Sequence, residues 1–131
     1  MPRYVLRILA YAWASPYTVL GLVVGVALGG KPKLVDGVLE IHSKRITWLL
    51  THLPVRAAAM TLGHVVLGQT LLHLERTRVH ERVHVRQFER WGIAFGPAYI
   101  LASVACYLRG QDFYRDNRFE VEAYATENNA R

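Results

Sequence analysis

Cysteine is almost absent from this chain, since Cys106 is the only thiol in its 131 residues. One thiol cannot form an internal disulfide, so nothing in the sequence indicates an oxidising compartment. A structural zinc site built from several thiolates is excluded for the same reason. The neighbours of Cys106 are mostly apolar ("ILASVACYL"). The sequence therefore predicts that Cys106 is buried and behaves as a small hydrophobic residue.

Charge is also scarce, and it is missing from a long stretch near the start of the chain. Charged residues make up only 20% of the sequence, hydrophobic residues make up 52%, and none of residues Ile8–Gly30 is charged. About 20 apolar helical residues cross the hydrocarbon core of a membrane. Residues 1–30 are therefore predicted to be an apolar segment long enough to span a bilayer, followed by a minimal domain at 31–131. A core helix broken at Ser15-Pro16 and a signal peptide are the alternatives.

Acidic residues are outnumbered, which gives a net charge of +6 and a pI near 9.8. Ten Lys and Arg residues lie between Lys31 and Arg90, whereas only two precede the apolar run. Positive charge is retained on the cytoplasmic side of membranes, so the domain at 31–131 is expected in the cytoplasm. The arginines do not alternate with aromatic residues, and no nucleic-acid-binding motif is present. The expected partner is membrane lipid, through residues 8–30, rather than nucleic acid.

Turn and strand signals follow the apolar run. Two short β-prone segments, Lys33–Val35 and Val38–His42, flank the dipeptide Asp36-Gly37, which favours a type I′ hairpin turn. Residues 43–56 fit either a strand or a short amphipathic piece. One further strand is predicted at Met60–Gly68. These elements indicate a small antiparallel sheet composed of a hairpin and an edge strand.

The rest of the chain has helical patterns. Helical spacing runs from about Thr70 to Trp91, and the uncharged segment Gly92–Leu108 is predicted to be a packed apolar helix. A last helix is expected from about Arg118, with Asp116 or Asn117 as its N-cap. The predicted fold class is α+β, with an apolar N-terminal helix, the small sheet and a helical core.

The sequence "HERVH" places two histidines four residues apart around a glutamate. Residues with that spacing lie on the same face of a helix, so His80 and His84 can bind one zinc ion. Zinc lowers the pKa of a bound water molecule, and Glu81 could accept its proton as a general base. The spacing is therefore typical of a metal-dependent hydrolase.

A catalytic zinc site also needs a third protein ligand and an open position. The segment "NRFEVEAY" in the last predicted helix supplies two candidate carboxylates, Glu120 and Glu122. They lie about 200° apart around a helix, so only one of them can face the metal. If Gly92–Leu108 crossed a bilayer, this helix and the histidines would lie on opposite sides. That segment is therefore expected to turn the chain back.

The combination of "HERVH" with "FEVEAY" resembles the gluzincin group of zinc metallopeptidases, whose second helix carries a Glu-x-x-Ala-Asp type of motif. The resemblance covers Arg76 to Tyr124 and extends to "HVRQ", which small bacterial proteins of this kind often contain. It implies a zincin-like core that holds one zinc ion, with Glu120 as the third ligand and Ala123 as the small residue. Tyr124 stands where the aspartate usually is.

Five further residues are candidates for auxiliary roles. Gln87 lies on the face of His84 and could orient a ligand or substrate. A tyrosine could donate to the oxyanion that develops during hydrolysis, and the sequence does not choose between Tyr99, Tyr114 and Tyr124. His64 precedes the histidine helix and is interpreted as a histidine satisfied by a partner rather than a ligand.

Together these patterns predict a membrane-associated zinc hydrolase, specifically a peptidase that acts on a peptide or protein substrate. The alternative is a non-catalytic membrane-anchored module that binds a metal or a partner while keeping the same fold. A chance motif in a basic membrane adaptor is the third interpretation. Nothing in the sequence indicates an oligomeric state.

Overall fold

The computed structural model describes residues 2–130 and confirms the α+β class. Met1 and Arg131, the outer ends of the two predicted domains, lie outside the described residues. Five helices and four strands occur within residues 2–130, and a short 3₁₀ turn at Gly92–Ala94 joins the third helix to the fourth. In chain order the elements are α1 (Arg3–Ala27), β1 (Lys33–Val35), β2 (Val38–His42), α2 (Lys44–Thr51), β3 (Ala59–Leu62), β4 (Val65–Gly68), α3 (Leu71–Trp91), α4 (Phe95–Leu108) and α5 (Arg118–Asn129).

The sheet is mixed, so the prediction of a purely antiparallel sheet is wrong. Its strand order is β1-β2-β4-β3, and the two central strands β2 and β4 are parallel, with Leu39 opposite Val65. The physical reason is the connection between the hairpins. Helix α2 and strand β3 carry the chain back before β4 begins, and a strand that follows such a crossover runs parallel to the first.

Two tight hairpins build this sheet. The predicted hairpin at Asp36-Gly37 is present, and both residues have positive φ (49° and 80°), as a type I′ turn requires. The single strand predicted at Met60–Gly68 is instead a second hairpin, β3–β4, with Gly63 and His64 between Leu62 and Val65. Gly63 has φ 60° at the first turn position, where a type II′ turn needs glycine.

Helix α2 resolves the ambiguity over residues 43–56. Ser43 caps it by accepting a hydrogen bond from the backbone N–H of Ile46, at 3.0 Å. Ile46 and Leu50 are fully buried against Ile41 and Leu67 of the sheet. Burial of an apolar face in this way accounts for the helix despite its length of eight residues.

Helices cover both faces of the sheet. Helices α1 and α2 pack on the face that carries Ile41 and Leu67, and α3 packs on the face that carries Val66. Helix α1 lies close to the sheet at Gly21 and Gly25, which have no side chains. A Cβ atom on Gly25 would lie only 2.5 Å from the Cδ1 atom of Ile41, so a larger residue would not fit there. Helix α1 continues through Pro16, so the core helix broken at Ser15-Pro16 does not occur.

Much of the apolar surface of α1 and α4 remains exposed. Two helical stretches, Arg3–Ala27 and Leu71–Leu108, are long and apolar enough to cross a membrane, a property shared by core helices and signal sequences. In each stretch, only 17% of the most apolar 18-residue segment is buried. Tyr17 of α1 donates a hydrogen bond to the carbonyl of Ile93, at 2.7 Å, which brings α1 close to the start of α4. The exposed apolar residues of the two helices are Tyr4, Leu6, Ile8, Leu9, Trp13, Val19, Leu20, Val23, Val26, Ile100, Leu101, Val104, Tyr107 and Leu108.

Helix α4 turns the chain back, so α3 and α5 pack against each other. The sequence analysis required this reversal, because the histidines and the carboxylate of the last helix could not otherwise bind the same metal ion. The burial of α4 is less than that predicted for a packed core helix, because only Phe95 and Cys106 are buried. The burial of Cys106 agrees with the sequence analysis.

Candidate metal centre

Helix α3 presents His80 and His84 on one buried face. Thr70 caps its start by accepting a hydrogen bond from the N–H of His73, and Gly92 ends it with φ 56°. The two imidazoles are 5% and 7% exposed, although histidine is not usually a core residue. Both histidines lie on the side of α3 that packs against α5, so their imidazoles point toward the C-terminal helix.

Asn117 fixes the start of α5, and with it the position of Glu120. The Asn117 side chain is fully buried. It accepts a hydrogen bond from the N–H of Phe119 and donates to the carbonyl of Tyr99 and the hydroxyl of Ser103 on α4. Because the cap is tied to α4, the first turn of α5 is held in place and carries Glu120 to the histidines.

The three side chains converge on one point. The Oε1 atom of Glu120 lies 3.1 Å from Nε2 of His80 and 3.2 Å from Nε2 of His84, and the two Nε2 atoms are 3.3 Å apart. Two ligands of a tetrahedral zinc ion, with bonds near 2.0 Å, lie about 3.3 Å apart. These three atoms form a triangle whose sides match the spacing of the ligands in a His/His/Glu zinc site. The three residues are the one such group within residues 2–130.

Glu122, the alternative carboxylate, lies on another side of α5. Its Oε1 atom accepts hydrogen bonds from Arg90, at 2.7 Å, and from Gln87, at 2.8 Å. The Glu122 side chain is 44% exposed, whereas that of Glu120 is 5% exposed. The helical phase that separates two such residues accounts for the difference.

Gln87 orients the imidazole of His84. Its Nε2 group donates to the carbonyl of Phe119 and to Glu122, and both of these atoms can only accept. Its Oε1 atom must therefore accept from Nδ1–H of His84, at 2.8 Å. Once His84 loses its second proton, Nε2 is therefore the nitrogen that carries the lone pair for a metal.

Glu127 gives His80 equivalent support, and the sequence analysis did not find it. Its Oε2 atom lies 3.3 Å from Nδ1 of His80. The residue is seven positions after Glu120, so the two lie near one face of α5 about two turns apart. That spacing is the one sequence signal that could have found it. A carboxylate therefore supports the first histidine even though Tyr124 replaces the expected aspartate.

His80, His84 and Glu120 shift one another's pKa when no metal ion is bound. Burial is the largest single effect and opposes the charged form of each, but the hydrogen bond to Glu120 and the negative charges of Glu81 and Glu120 together outweigh it and raise the pKa of His84 to about 9. Burial also lowers the pKa of His80, but the hydrogen bond to Glu120 and the negative charges of Glu81 and Glu120 together outweigh it, so the pKa is raised. Hydrogen bonds from both histidines hold the pKa of Glu120 at about 2, against the opposing effect of burial. The carboxylate is thus ionised at neutral pH, and His84 holds a proton.

Zinc affinity is expected to rise by about tenfold for each pH unit up to pH 9, because zinc must displace at least the His84 proton. The sign follows from the raised pKa, since the protonated imidazole cannot bind a metal and the deprotonated one can. Competition with a chromophoric chelator between pH 6.5 and 9 measures the slope. An affinity that levels off near pH 6.5, where an ordinary histidine loses its proton, would contradict the raised pKa of His84.

Glu81 lies beside the triangle and is itself buried. It is 6% exposed, and its Oε2 atom accepts a hydrogen bond from the hydroxyl of Thr61 on β3, at 2.8 Å. Burial raises the pKa of Glu81, and the positive charge on His84 and His80 opposes that effect only in part. A carboxylate with a raised pKa is a better base near neutral pH than an ordinary one.

The three tyrosines occupy different places. Tyr99 donates its hydroxyl proton to Oε2 of Glu120, at 2.6 Å, which leaves Oε1 for the metal. The hydroxyls of Tyr114 and Tyr124 are 3.1 Å apart, and the Tyr124 ring packs edge-on against His80. Burial, followed by the effect of Glu120, raises the pKa of Tyr99. Burial and the hydrogen bond to Tyr124 raise that of Tyr114, so both hydroxyls keep their protons.

His64 does not belong to this group. It lies in the turn between β3 and β4, is 3% exposed, and its Nε2 atom is 2.8 Å from Glu89. It stacks on Tyr11 at a ring distance of 3.7 Å. The structure thus places His64 with a carboxylate partner, away from the candidate metal ligands.

A cavity of about 500 Å³ opens onto the site. It reaches Glu81, His84 and Glu120, and its remaining walls are almost entirely apolar. Strand β3 forms one wall, and its place at the end of the strand order makes it an edge strand. The apolar wall residues are Leu53, Pro54, Val55, Ala57, Ala59, Met60, Leu62, Phe88, Phe95, Ile100 and Phe113.

No known protein family, curated protein or solved structure matches this chain. The buried triad on α3 and α5 is consistent with a zincin-like site on its geometry alone.

Proposed function

We propose that this protein is a zinc-dependent hydrolase, and specifically a peptidase. The observation that carries the proposal is the triangle of His80, His84 and Glu120, together with a buried glutamate that lines the adjacent cavity. A structural zinc site is normally closed by four protein ligands. Within residues 2–130, this group offers three.

Each residue then has a defined task. Zinc would supply a Lewis acid that polarises a carbonyl and lowers the pKa of water. Glu81 accepts the proton of the attacking water, and Thr61 holds the glutamate in position through its hydroxyl. Tyr99 keeps Glu120 oriented. Tyr114, which lines the cavity and keeps its proton, donates to the developing oxyanion.

The walls of the cavity favour an apolar substrate. Water would be displaced from apolar surface when a large hydrophobic side chain enters, and that displacement favours binding. Strand β3 offers an unpaired edge next to Thr61, along which an extended peptide could add as a further strand. These two features together favour a peptide with a bulky apolar residue near the bond that is cleaved.

We further propose that the protein associates with the cytoplasmic face of a membrane through α1 and α4. Their exposed apolar residues are more numerous than a soluble surface normally carries. Gly21 and Gly25 hold α1 along the sheet, so a crossing by this helix would draw the sheet into the bilayer. A shallow position at the surface avoids that cost. Co-flotation with phosphatidylcholine vesicles tests it, and a protein that stays in the soluble fraction would contradict it.

Removal of zinc tests the hydrolase function. Protein purified without chelator is expected to contain about one zinc ion per chain and to cleave members of a peptide library with apolar residues. Treatment with a chelator should abolish cleavage, and added zinc should restore it. Purified protein that binds no zinc would end the proposal. Protein that binds zinc but cleaves no peptide would favour the non-catalytic metal-binding module, because the ligands would then be present without a reaction.

A further inference from the structure

A second cavity, of about 460 Å³, lies on the side of α3 that faces away from the histidines. Its lining includes Arg78, Arg82 and Arg86, which follow one another at intervals of four residues and therefore share a face of the helix. Arg82 is roughly 160° around the helix from both His80 and His84. One helix thus carries the candidate metal ligands on one side and a row of arginines on the other.

Two of these arginines are held rigidly by a buried carboxylate. Glu40 is 4% exposed and accepts two hydrogen bonds from Arg78, at 2.8 and 2.9 Å, and one from Arg82, at 2.9 Å. Arg82 also donates to the carbonyl of Val35, at 3.0 Å. Its other terminal nitrogen, Nη1, is buried and has no hydrogen-bond partner within residues 2–130. Buried donors without an acceptor are rare in proteins, so a water molecule, an ion or a ligand is expected to accept from Nη1.

The acidic residues around the cavity do not neutralise the positive charge of its arginines. Arg7 of α1 also lines it, and neither Arg7 nor Arg86 has an ion-pair partner within residues 2–130. Two carboxylates in the lining oppose them, Asp36 at the hairpin turn and Glu89, which pairs with an imidazole. With Glu40, three carboxylates face four guanidinium groups, so the cavity keeps a net positive charge.

We propose that this cavity binds the oxyanion of a phosphate group. Guanidinium groups bind phosphate oxygens through paired N–H donors, and a tetrahedral oxyanion can accept from several directions at once. The arginines come from α1 and α3, so they can donate hydrogen bonds to a bound oxyanion from two sides. A planar carboxylate would instead pair with the two parallel N–H donors of a single guanidinium group. The phosphate belongs to a lipid headgroup or to a small soluble molecule. Arg7 immediately precedes the uncharged run Ile8–Gly30, which favours the headgroup.

A pair of double variants tests the proposal. Arg7→Gln with Arg86→Gln removes two cavity arginines that make no side-chain hydrogen bond or ion pair within residues 2–130, so the fold should be unaffected. Arg45→Gln with Arg76→Gln removes the same charge from exposed positions outside the cavity. Binding of inorganic phosphate is measured by calorimetry at constant ionic strength. Flotation compares phosphatidylcholine vesicles with and without phosphatidic acid.

The cavity variant is expected to lose at least about tenfold in affinity for phosphate, for phosphatidic acid vesicles, or for both, whereas the control variant keeps wild-type affinity. Loss for both probes means that the phosphate group itself is recognised, and loss for vesicles alone identifies the headgroup as the ligand. Equal loss in the two double variants, or no binding of either probe by the wild type, would overturn the proposal. Neither assay depends on zinc or hydrolysis, so its failure leaves the proposed hydrolase function untouched.

Discussion

The Glu81→Gln variant is expected to lose hydrolytic activity by a factor of about 10² to 10⁴ while it keeps its zinc. Glutamine has the shape of glutamate and can still accept the hydrogen bond from Thr61, but its amide cannot take a proton from water. His80, His84 and Glu120 are unchanged, so the metal affinity should stay close to that of the wild type. Peptide cleavage rates and the zinc content of both proteins measure the two effects separately.

Glu75→Gln is the matched control for this variant. Glu75 lies on the same helix and is exposed, so the substitution changes the charge of α3 equally without touching the site. It should cleave peptides at the wild-type rate. A Glu81→Gln protein as active as the Glu75→Gln protein would rule out the glutamate as the base. Loss of zinc from Glu81→Gln would instead mean that this carboxylate binds the metal.

The Glu120→Gln variant is expected to lose more than about 100-fold in zinc affinity, since the loss of a direct ligand should exceed the loss of an outer hydrogen-bond partner. Glu122→Gln is its matched control, two residues away on the same helix and with the same change in charge. Glu122 pairs with Arg90 and contacts the histidines only indirectly, through Gln87. A glutamine at this position still offers an oxygen that accepts from Gln87, so its replacement should leave zinc affinity nearly unchanged. Competition with a chelator at a fixed pH measures both.

Glu120 accepts hydrogen bonds from His80, His84 and Tyr99, so its replacement could also loosen α5. Circular dichroism and thermal unfolding of the metal-free variants separate that effect from loss of a ligand. Glu120→Asp keeps a carboxylate on a shorter side chain and should bind zinc with intermediate affinity. Equal affinities for the Glu120→Gln and Glu122→Gln proteins would exclude Glu120 as the third ligand.

The parts of the site that the sequence predicted are those that depend on local geometry. The spacing of His80 and His84 determines that they share a face wherever the helix lies. The helical phase of Glu120 and Glu122 predicted that only one could reach the histidines, and the resemblance to gluzincins favoured Glu120. The hairpin at Asp36-Gly37 was equally local, since two adjacent residues specify its turn.

The parts that the sequence did not predict depend on how distant elements pack. Glu127 supports His80 across 47 residues, and this contact follows from the way α5 lies against α3. The parallel pairing of the central strands depends on the path of the chain through α2, which no strand pattern specifies. The turn at Gly63-His64 did have a local signal, a glycine followed by a polar residue between β-prone segments.

The parallel pairing of β2 with β4 sets the order in which the sheet can assemble. Each hairpin closes across a two-residue turn, and hairpins form in about 1–10 μs. Leu39 and Val65, by contrast, are partners that lie 26 residues apart in the chain. Their pairing bears the entropy of closing that loop, so we expect the two hairpins to form before β2 and β4 pair with each other. The contact between the two central strands is then the last part of the sheet to form.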